Sequence, residues 1–152
     1  MTASLHELLA AERFGVLATH SARRPGWPFA SLAPYALDER GGPVLLLSDL
    51  AEHTRNIRAD ARVSLLVQQT SDEEDPQAAA RVTLLGMLVA LPSDAAPSAR
   101  EHYVARHPRA AEYAALSDFR VYGLSVTEAR FIGGFGNMGW LSGEALRAVL
   151  GP

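Results

Sequence analysis

A polar segment between two apolar stretches carries most of the side chains that could bind a ligand. It covers residues 48–58 and includes Ser48, His53, Thr54, Arg55 and Asn56. The apolar residues 44–47 before it predict a buried strand, and residues 52–59 predict a short helix. Main-chain N–H groups at a helix start favour an anion, and hydroxyl, guanidinium and carboxamide groups add donors at the same place. The segment is therefore predicted to bind phosphate.

The rest of the chain predicts short strands joined by turns, with a few short helices. We expect strands over 14–19, 29–37, 44–47, 63–69, 81–91 and 119–126, with 129–132 continuing the last, and helices over 4–13, 97–106, 108–116 and 144–150. Residues 38–42 predict a hairpin turn, residues 133–140 a loop, and Gly86 a bulge or a close backbone approach. Strands that do not alternate with long helices indicate a mainly β, α+β chain, with a closed or split antiparallel barrel of six strands.

The composition of the chain excludes several classes of function. The 152 residues suit a single domain spanning 1–152, and the formal charge of −3 argues against a nucleic-acid partner. The absence of cysteine excludes disulfides and thiolate chemistry. His102 and His107 lack the spacing of a zinc-binding pair, so no metal site is predicted. The first residues do not form a signal peptide and no apolar run could span a bilayer, so we expect a cytoplasmic protein without a membrane partner.

Several short motifs, in this order, resemble those of one known family. They are residues 26–31 with Pro34 and Tyr35, residues 48–56, residues 81–86, residues 103–108, residues 118–119 and residues 133–136. With them the chain resembles the pyridoxamine 5′-phosphate oxidase-like FMN-binding split-barrel family. Within that family it is most similar to the branch that includes haem-utilisation proteins.

The resemblance implies a six-stranded antiparallel split β-barrel with short flanking helices, assembled as a homodimer with FMN at the subunit interface. Ser48 and Asp49 would line the phosphate-bearing chain of the flavin, His53 could donate to the flavin or its phosphate, and Arg81 would lie near the flavin. The phosphate itself would be bound by Thr54, Arg55 and Asn56. The backbone of Ser31, Leu32 and Ala33 would pass the flavin ring.

The function that follows is that of an FMN-binding flavoprotein, expected to be an oxidoreductase in which the flavin exchanges hydride. No catalytic residue and no substrate is assigned. The alternative is a haem-binding module or a non-catalytic flavin-binding module on the same scaffold. If the ligand is haem, His20, His53, His102 or His107 would supply its axial ligand. A true pyridoxamine 5′-phosphate oxidase is disfavoured, because the family's Arg- and Trp-bearing C-terminal stretch is missing.

Overall fold

Eight strands in the part of the chain that the structure describes form one antiparallel sheet. The structure is a computed structural model, and it describes residues 2–133 and 137–150. The strands are β1 (Phe14–His20), β2 (Pro28–Pro34), β3 (Ala36–Leu37), β4 (Pro43–Ser48), β5 (Arg62–Gln68), β6 (Arg81–Ala90), β7 (Phe119–Ile132) and β8 (Met138–Ser142). The helices are α1 (Thr2–Ala11), α2 (Glu52–Ala59), α3 (Ala96–Arg106) and α4 (Gly143–Leu150), with 3₁₀ turns at Pro76–Ala78 and Pro108–Glu112.

The order of the strands requires the sheet to curl. Along the sheet the order is β2-β1-β5-β6-β7-β4-β3, and β8 pairs with β7 beside this path. β2 and β3 therefore lie at opposite ends of the path, although only Tyr35 separates them in the chain. One residue spans only about 3.5 Å, so the two ends of the sheet must come together. The sheet is consequently a curled half-barrel.

The core fills the concave side of this sheet. Inward-facing residues alternate with outward-facing ones, as in β5, where Val63, Leu65 and Val67 are buried and Leu66 is exposed. Leu5 and Leu9 of α1 pack into the same core, and the buried Tyr35 hydroxyl donates to the Leu9 carbonyl at 2.6 Å. A second apolar cluster joins α3 to the outer side of β3, β4 and β7, and it consists of Ala36, Val44, Leu46, Ala99, Tyr103, Ala110, Ala114 and Val121.

The prediction of six strands is wrong, because the described residues contain eight. The predicted strand over 29–37 is broken at Tyr35 into β2 and β3, and β8 lies partly in the predicted loop over 133–140. Residues 134–136 of that loop lie outside the described residues. The predicted helix over 108–116 is only a 3₁₀ turn, Pro108–Glu112. The hairpin turn over 38–42 is confirmed by bonds between Asp38 and Gly42.

The predicted irregularity at Gly86 is confirmed. The register between β6 and β7 shifts between Leu85 and Gly86. A Cβ atom built on Gly86 would lie 2.2 Å from the Ser125 carbonyl oxygen. Only glycine permits this close approach of the two backbones.

Candidate functional site

A cleft of about 770 Å³ opens between the β1–β2 hairpin and the start of α2, and we name it the hairpin cleft. Its lining mixes cationic, aromatic and polar side chains, which are those of Ser21, Arg23, Arg24, Trp27, Pro28, Phe29 and Glu52. The Cζ atom of Arg24 lies 4.8 Å from the centre of the Trp27 ring, and 58% of Trp27 is exposed. The cleft thus places guanidinium groups beside flat apolar surfaces.

The hairpin that forms this cleft is held by its own backbone. Ser21 accepts a hydrogen bond at Oγ from the Arg24 amide (2.9 Å), and its own amide donates to the Trp27 carbonyl (3.0 Å). Gly26 has a φ angle of +89°, which side-chain-bearing residues rarely adopt. These features fix where Arg24 and Trp27 stand relative to β2.

His53 follows Glu52, a lining residue of the hairpin cleft, in the first turn of α2. Its Nδ1 atom lies 3.2 Å from the Ser31 Oγ atom. Side chains alternate along β2, so Ser31 lies on the same face as Phe29, which lines the cleft. Burial lowers the pKa of His53 below its ordinary value of 6.5, so the imidazole is neutral at pH 7. When Nδ1 carries the proton of this bond, Nε2 keeps a free lone pair.

Thr54 and Asn56 are fully buried rather than directed to the cleft. The Asn56 carboxamide donates to Thr19 Oγ1 and accepts from the Ala22 amide, both at 2.9 Å. It therefore ties α2 to β1 and to the hairpin. The Thr54 hydroxyl has no hydrogen-bond partner among the described residues. Phosphate binding by these two side chains stays a prediction. Within one chain they are part of the buried packing beneath α2.

Ser48 and Asp49, at the end of β4, belong to a second polar group. The Ser48 hydroxyl donates to Asp118 Oδ2 at 3.4 Å. The Asp49 carboxylate accepts from Arg58 Nη2 at 2.6 Å and from Arg120 Nε at 3.1 Å. Two guanidinium groups thus form ion pairs with the Asp49 carboxylate, and the role of Asp49 beside a flavin stays a prediction.

The remaining predicted site residues are spread over the sheet. Arg55 is exposed and lies 3.7 Å from Glu52. Leu32 is 66% exposed on the outer face of β2, whereas Ala33 is buried in the core. Arg81 pairs in register with Gln68, at the end of β5 opposite Arg62 and α2, and it donates to the Gln77 carbonyl at 2.9 Å. The strands β1 and β5 lie between Arg81 on β6 and Ser31 on β2, which His53 contacts, and no hydrogen bond within one chain joins Arg81 to His53 among the described residues.

The sequence reasoning missed part of this arrangement. Thr19, Arg23 and Arg24 were not predicted as site residues, although the cationic hairpin turn before Trp27 is visible in the sequence. Arg58 and Arg120 could not be assigned to Asp49 from the sequence, because the pairing of β4 with β7 brings Arg120 there.

Comparison with known proteins identifies relatives over most of the chain. A family model described as CREG, beta-barrel matches residues 3–146. The chain is 32% identical over 130 residues to the chloroplastic noncanonical heme oxygenase HOZ of Arabidopsis thaliana, covering 86% of this chain and 39% of that protein. Among solved structures, a heme binding protein from Mycobacterium smegmatis is 39% identical, with a TM-score of 0.88. The match covers 97% of this chain and 60% of the mycobacterial chain.

A more distant structure shows the fold alone. HutZ, the heme storage protein of Vibrio cholerae, is 20% identical with a TM-score of 0.69, over 92% of each chain. The split-barrel scaffold expected from the sequence is thereby supported, whereas FMN binding and the precise branch stay predictions. No helix among residues 2–133 and 137–150 is long and apolar enough to cross a membrane. A cytoplasmic location stays a prediction.

Proposed function

Because the chain belongs to the CREG beta-barrel family, and relatives at 32% and 39% identity are named as a heme oxygenase and a heme binding protein, we propose that it binds haem. The observation that carries the proposal is the His53 imidazole beside the hairpin cleft. The chain spans 39% of the Arabidopsis relative and 60% of the mycobacterial one. The proposal accordingly concerns binding by this domain.

The residues of the hairpin cleft fit a flat apolar group that carries carboxylates. Trp27 and Phe29 offer aromatic surface, and Arg23 and Arg24 can pair with carboxylates. His53 is neutral, as a metal ligand must be, and Ser31 orients its ring at Nδ1. Haem would be held at its iron by His53 and would supply redox and oxygen chemistry. The role of this chain is to bind and orient that group.

The other imidazoles fit this role less well. His102 is exposed, and its Nδ1 atom lies 2.9 Å from the Ser98 carbonyl of its own helix. His107 donates from Nε2 to the Tyr35 carbonyl at 2.6 Å and packs against Tyr103. His20 is exposed on the outer face of β1. Only His53 combines partial burial, a side-chain partner and an adjoining cleft among the described residues.

A second copy of the chain is proposed to cover the outer face of the sheet. Val16 faces Leu32 on one side and Leu66 on the other, so the three form one cross-strand row over β2, β1 and β5. Their exposed fractions are 66% for Leu32, 40% for Val16 and 37% for Leu66. A contiguous apolar face of this kind is typical of an interface. We propose that this row is where the two copies of the homodimer meet.

The test is a titration of the purified chain with haem, followed by the Soret band. We expect saturable binding with an imidazole-ligated spectrum, which His53→Ala abolishes. Ser31→Ala should weaken binding by about tenfold, since outer-shell partners of a metal ligand contribute 10–100-fold in affinity. His102→Ala, an exposed imidazole on α3, is the matched control and should bind as the parent chain does.

An unchanged spectrum and affinity in His53→Ala would show that His53 is not the ligand. The same protein titrated with FMN, with flavin fluorescence as the readout, tests the flavin hypothesis. Tight FMN binding that excludes haem would replace the haem proposal with the flavoprotein prediction. Failure to bind either cofactor would overturn both.

A further inference from the structure

A second cavity, of about 490 Å³, lies away from the hairpin cleft and has a basic lining. It forms where the residue before β1, the end of α3 and the following 3₁₀ turn meet, and we name it the arginine cavity. Its polar lining consists of Arg13, Tyr103, Arg106, His107, Arg109 and Tyr113. No carboxylate lines it among the described residues.

The guanidinium of Arg106 is fixed in place without losing its charge. Its Nη2 atom donates to the carbonyls of Ala10, Ala11 and Glu12 at 3.1, 2.6 and 3.3 Å, which caps the end of α1. These bonds use a single nitrogen, which leaves Nε and Nη1 for another acceptor. Arg13 and Arg109 have no carboxylate partner within 4.0 Å among the described residues.

His107 and Tyr103 form a rigid wall of the same cavity. The Tyr35 carbonyl accepts from His107 Nε2 at 2.6 Å, so that nitrogen carries a proton and Nδ1 stays free. The His107 ring lies 4.7 Å from the Tyr103 ring, centre to centre. Tyr103 is 2% exposed, and burial raises the pKa of its hydroxyl, which keeps the group a hydrogen-bond donor.

We propose that the arginine cavity binds a small anion, a phosphate or carboxylate group attached to a flat apolar body. Arg106 would contact the anion through its free nitrogens, and Arg13 and Arg109 would add charge at the rim. The flat body would lie against Tyr113 and the Tyr103–His107 wall. Guanidinium forks suit both anions, and aromatic walls suit a ring. This inference concerns a site separate from the hairpin cleft and does not rest on haem binding.

The experiment is calorimetric titration with phenyl phosphate, benzoate and the uncharged phenol. We expect saturable binding of at least one anion and none of phenol. Arg13→Ala and Arg109→Ala should each weaken binding by about tenfold, as loss of one charge-assisted hydrogen bond does. Both arginines are exposed, so these variants should fold. Arg40→Ala, an exposed arginine of the hairpin turn over 38–42, removes the same charge and should leave the affinity unchanged.

The identity of the tighter anion assigns the ligand class, a phosphate ester for phenyl phosphate and a carboxylate for benzoate. The Arg106 Nε–H signal in a ¹⁵N NMR spectrum should shift on binding. The proposal fails if neither anion saturates, if phenol binds equally well, or if Arg40→Ala weakens binding as much as Arg109→Ala. Haem binding should be unaffected by Arg109→Ala, and anion binding by His53→Ala, so the two proposals fail independently.

Discussion

Replacement of Asn56 by alanine tests whether this carboxamide supports the fold rather than a ligand. The side chain is fully buried and forms two hydrogen bonds of 2.9 Å, one to Thr19 Oγ1 and one from the Ala22 amide. Asn56→Ala removes both bonds and leaves Thr19, itself only 4% exposed, without its donor. The loss should therefore appear in a protein free of any cofactor.

The size of the effect follows from these contacts. Each hydrogen bond contributes about 0.5–1.5 kcal/mol net, and a buried polar group left unpaired costs about 1–3 kcal/mol, so Asn56→Ala should lower the free energy of unfolding by about 2–4 kcal/mol. In a domain of this size each kcal/mol lowers the melting temperature by about 2–4 °C, which predicts a fall of roughly 5–15 °C.

Urea unfolding followed by circular dichroism measures this change, and Thr54→Val provides the contrast. Thr54 is equally buried, yet its hydroxyl has no partner among the described residues. Valine keeps the shape and removes an unpaired polar group, so Thr54→Val should leave stability unchanged or raise it by up to about 1 kcal/mol. Equal destabilisation by both variants would refute the assigned hydrogen bonds. A loss below about 0.5 kcal/mol for Asn56→Ala would do the same.

Two further predictions concern His53 and Gly86. Burial lowers the pKa of His53 below 6.5 in the folded chain, so its contribution to stability should be present above pH 6.5 and be lost as the pH falls through the pKa of the folded state. An NMR titration of its ring proton should give a midpoint below 6.5, and a midpoint at or above 6.5 would contradict this. Gly86→Ala should lower the free energy of unfolding by at least about 2 kcal/mol, since the new Cβ meets the Ser125 backbone at 2.2 Å. In Gly123→Ala the new Cβ meets only the movable Leu91 side chain, at 2.7 Å, so the loss in the same urea assay should be smaller, and equal losses would contradict the close approach at Gly86.

Local features of the fold could be predicted from the sequence because they depend on neighbouring residues. The turn over 38–42 and the bulge at Gly86 are two examples. Pro34 indicated an edge or a bulge in the strand over 29–37, but the full break at Tyr35 could not be predicted, because it depends on β2 pairing with β1 at one end of the sheet and β3 with β4 at the other. β8 was missed for a related reason. It is a five-residue strand held by its pairing with β7, and its own sequence lacks a clear alternation.

The candidate site was likewise predictable only where it depends on neighbouring residues. The sequence of α2 indicated a polar helix, and it does begin beside the hairpin cleft. Which of its polar side chains face inward depends on how the helix packs on β1, and this turned Thr54 and Asn56 into the core while Arg55 stayed in solvent. The proximity of His53 to Ser31 likewise required the three-dimensional arrangement of β2 and α2.

The single residue that joins the two ends of the sheet also constrains how the molecule can assemble. β2 pairs with β1 and β3 pairs with β4, each close by in the chain. However, Val16 of β1 pairs with Leu66 and Leu46 of β4 pairs with Val121, so each of these hairpins joins the rest of the sheet only when remote parts of the chain have met. Such non-local pairing slows folding, because the chain loses the entropy of loop closure before the stabilising contacts form. We expect the segment around Tyr35 to reach its native position late, when both hairpins have joined the rest of the sheet.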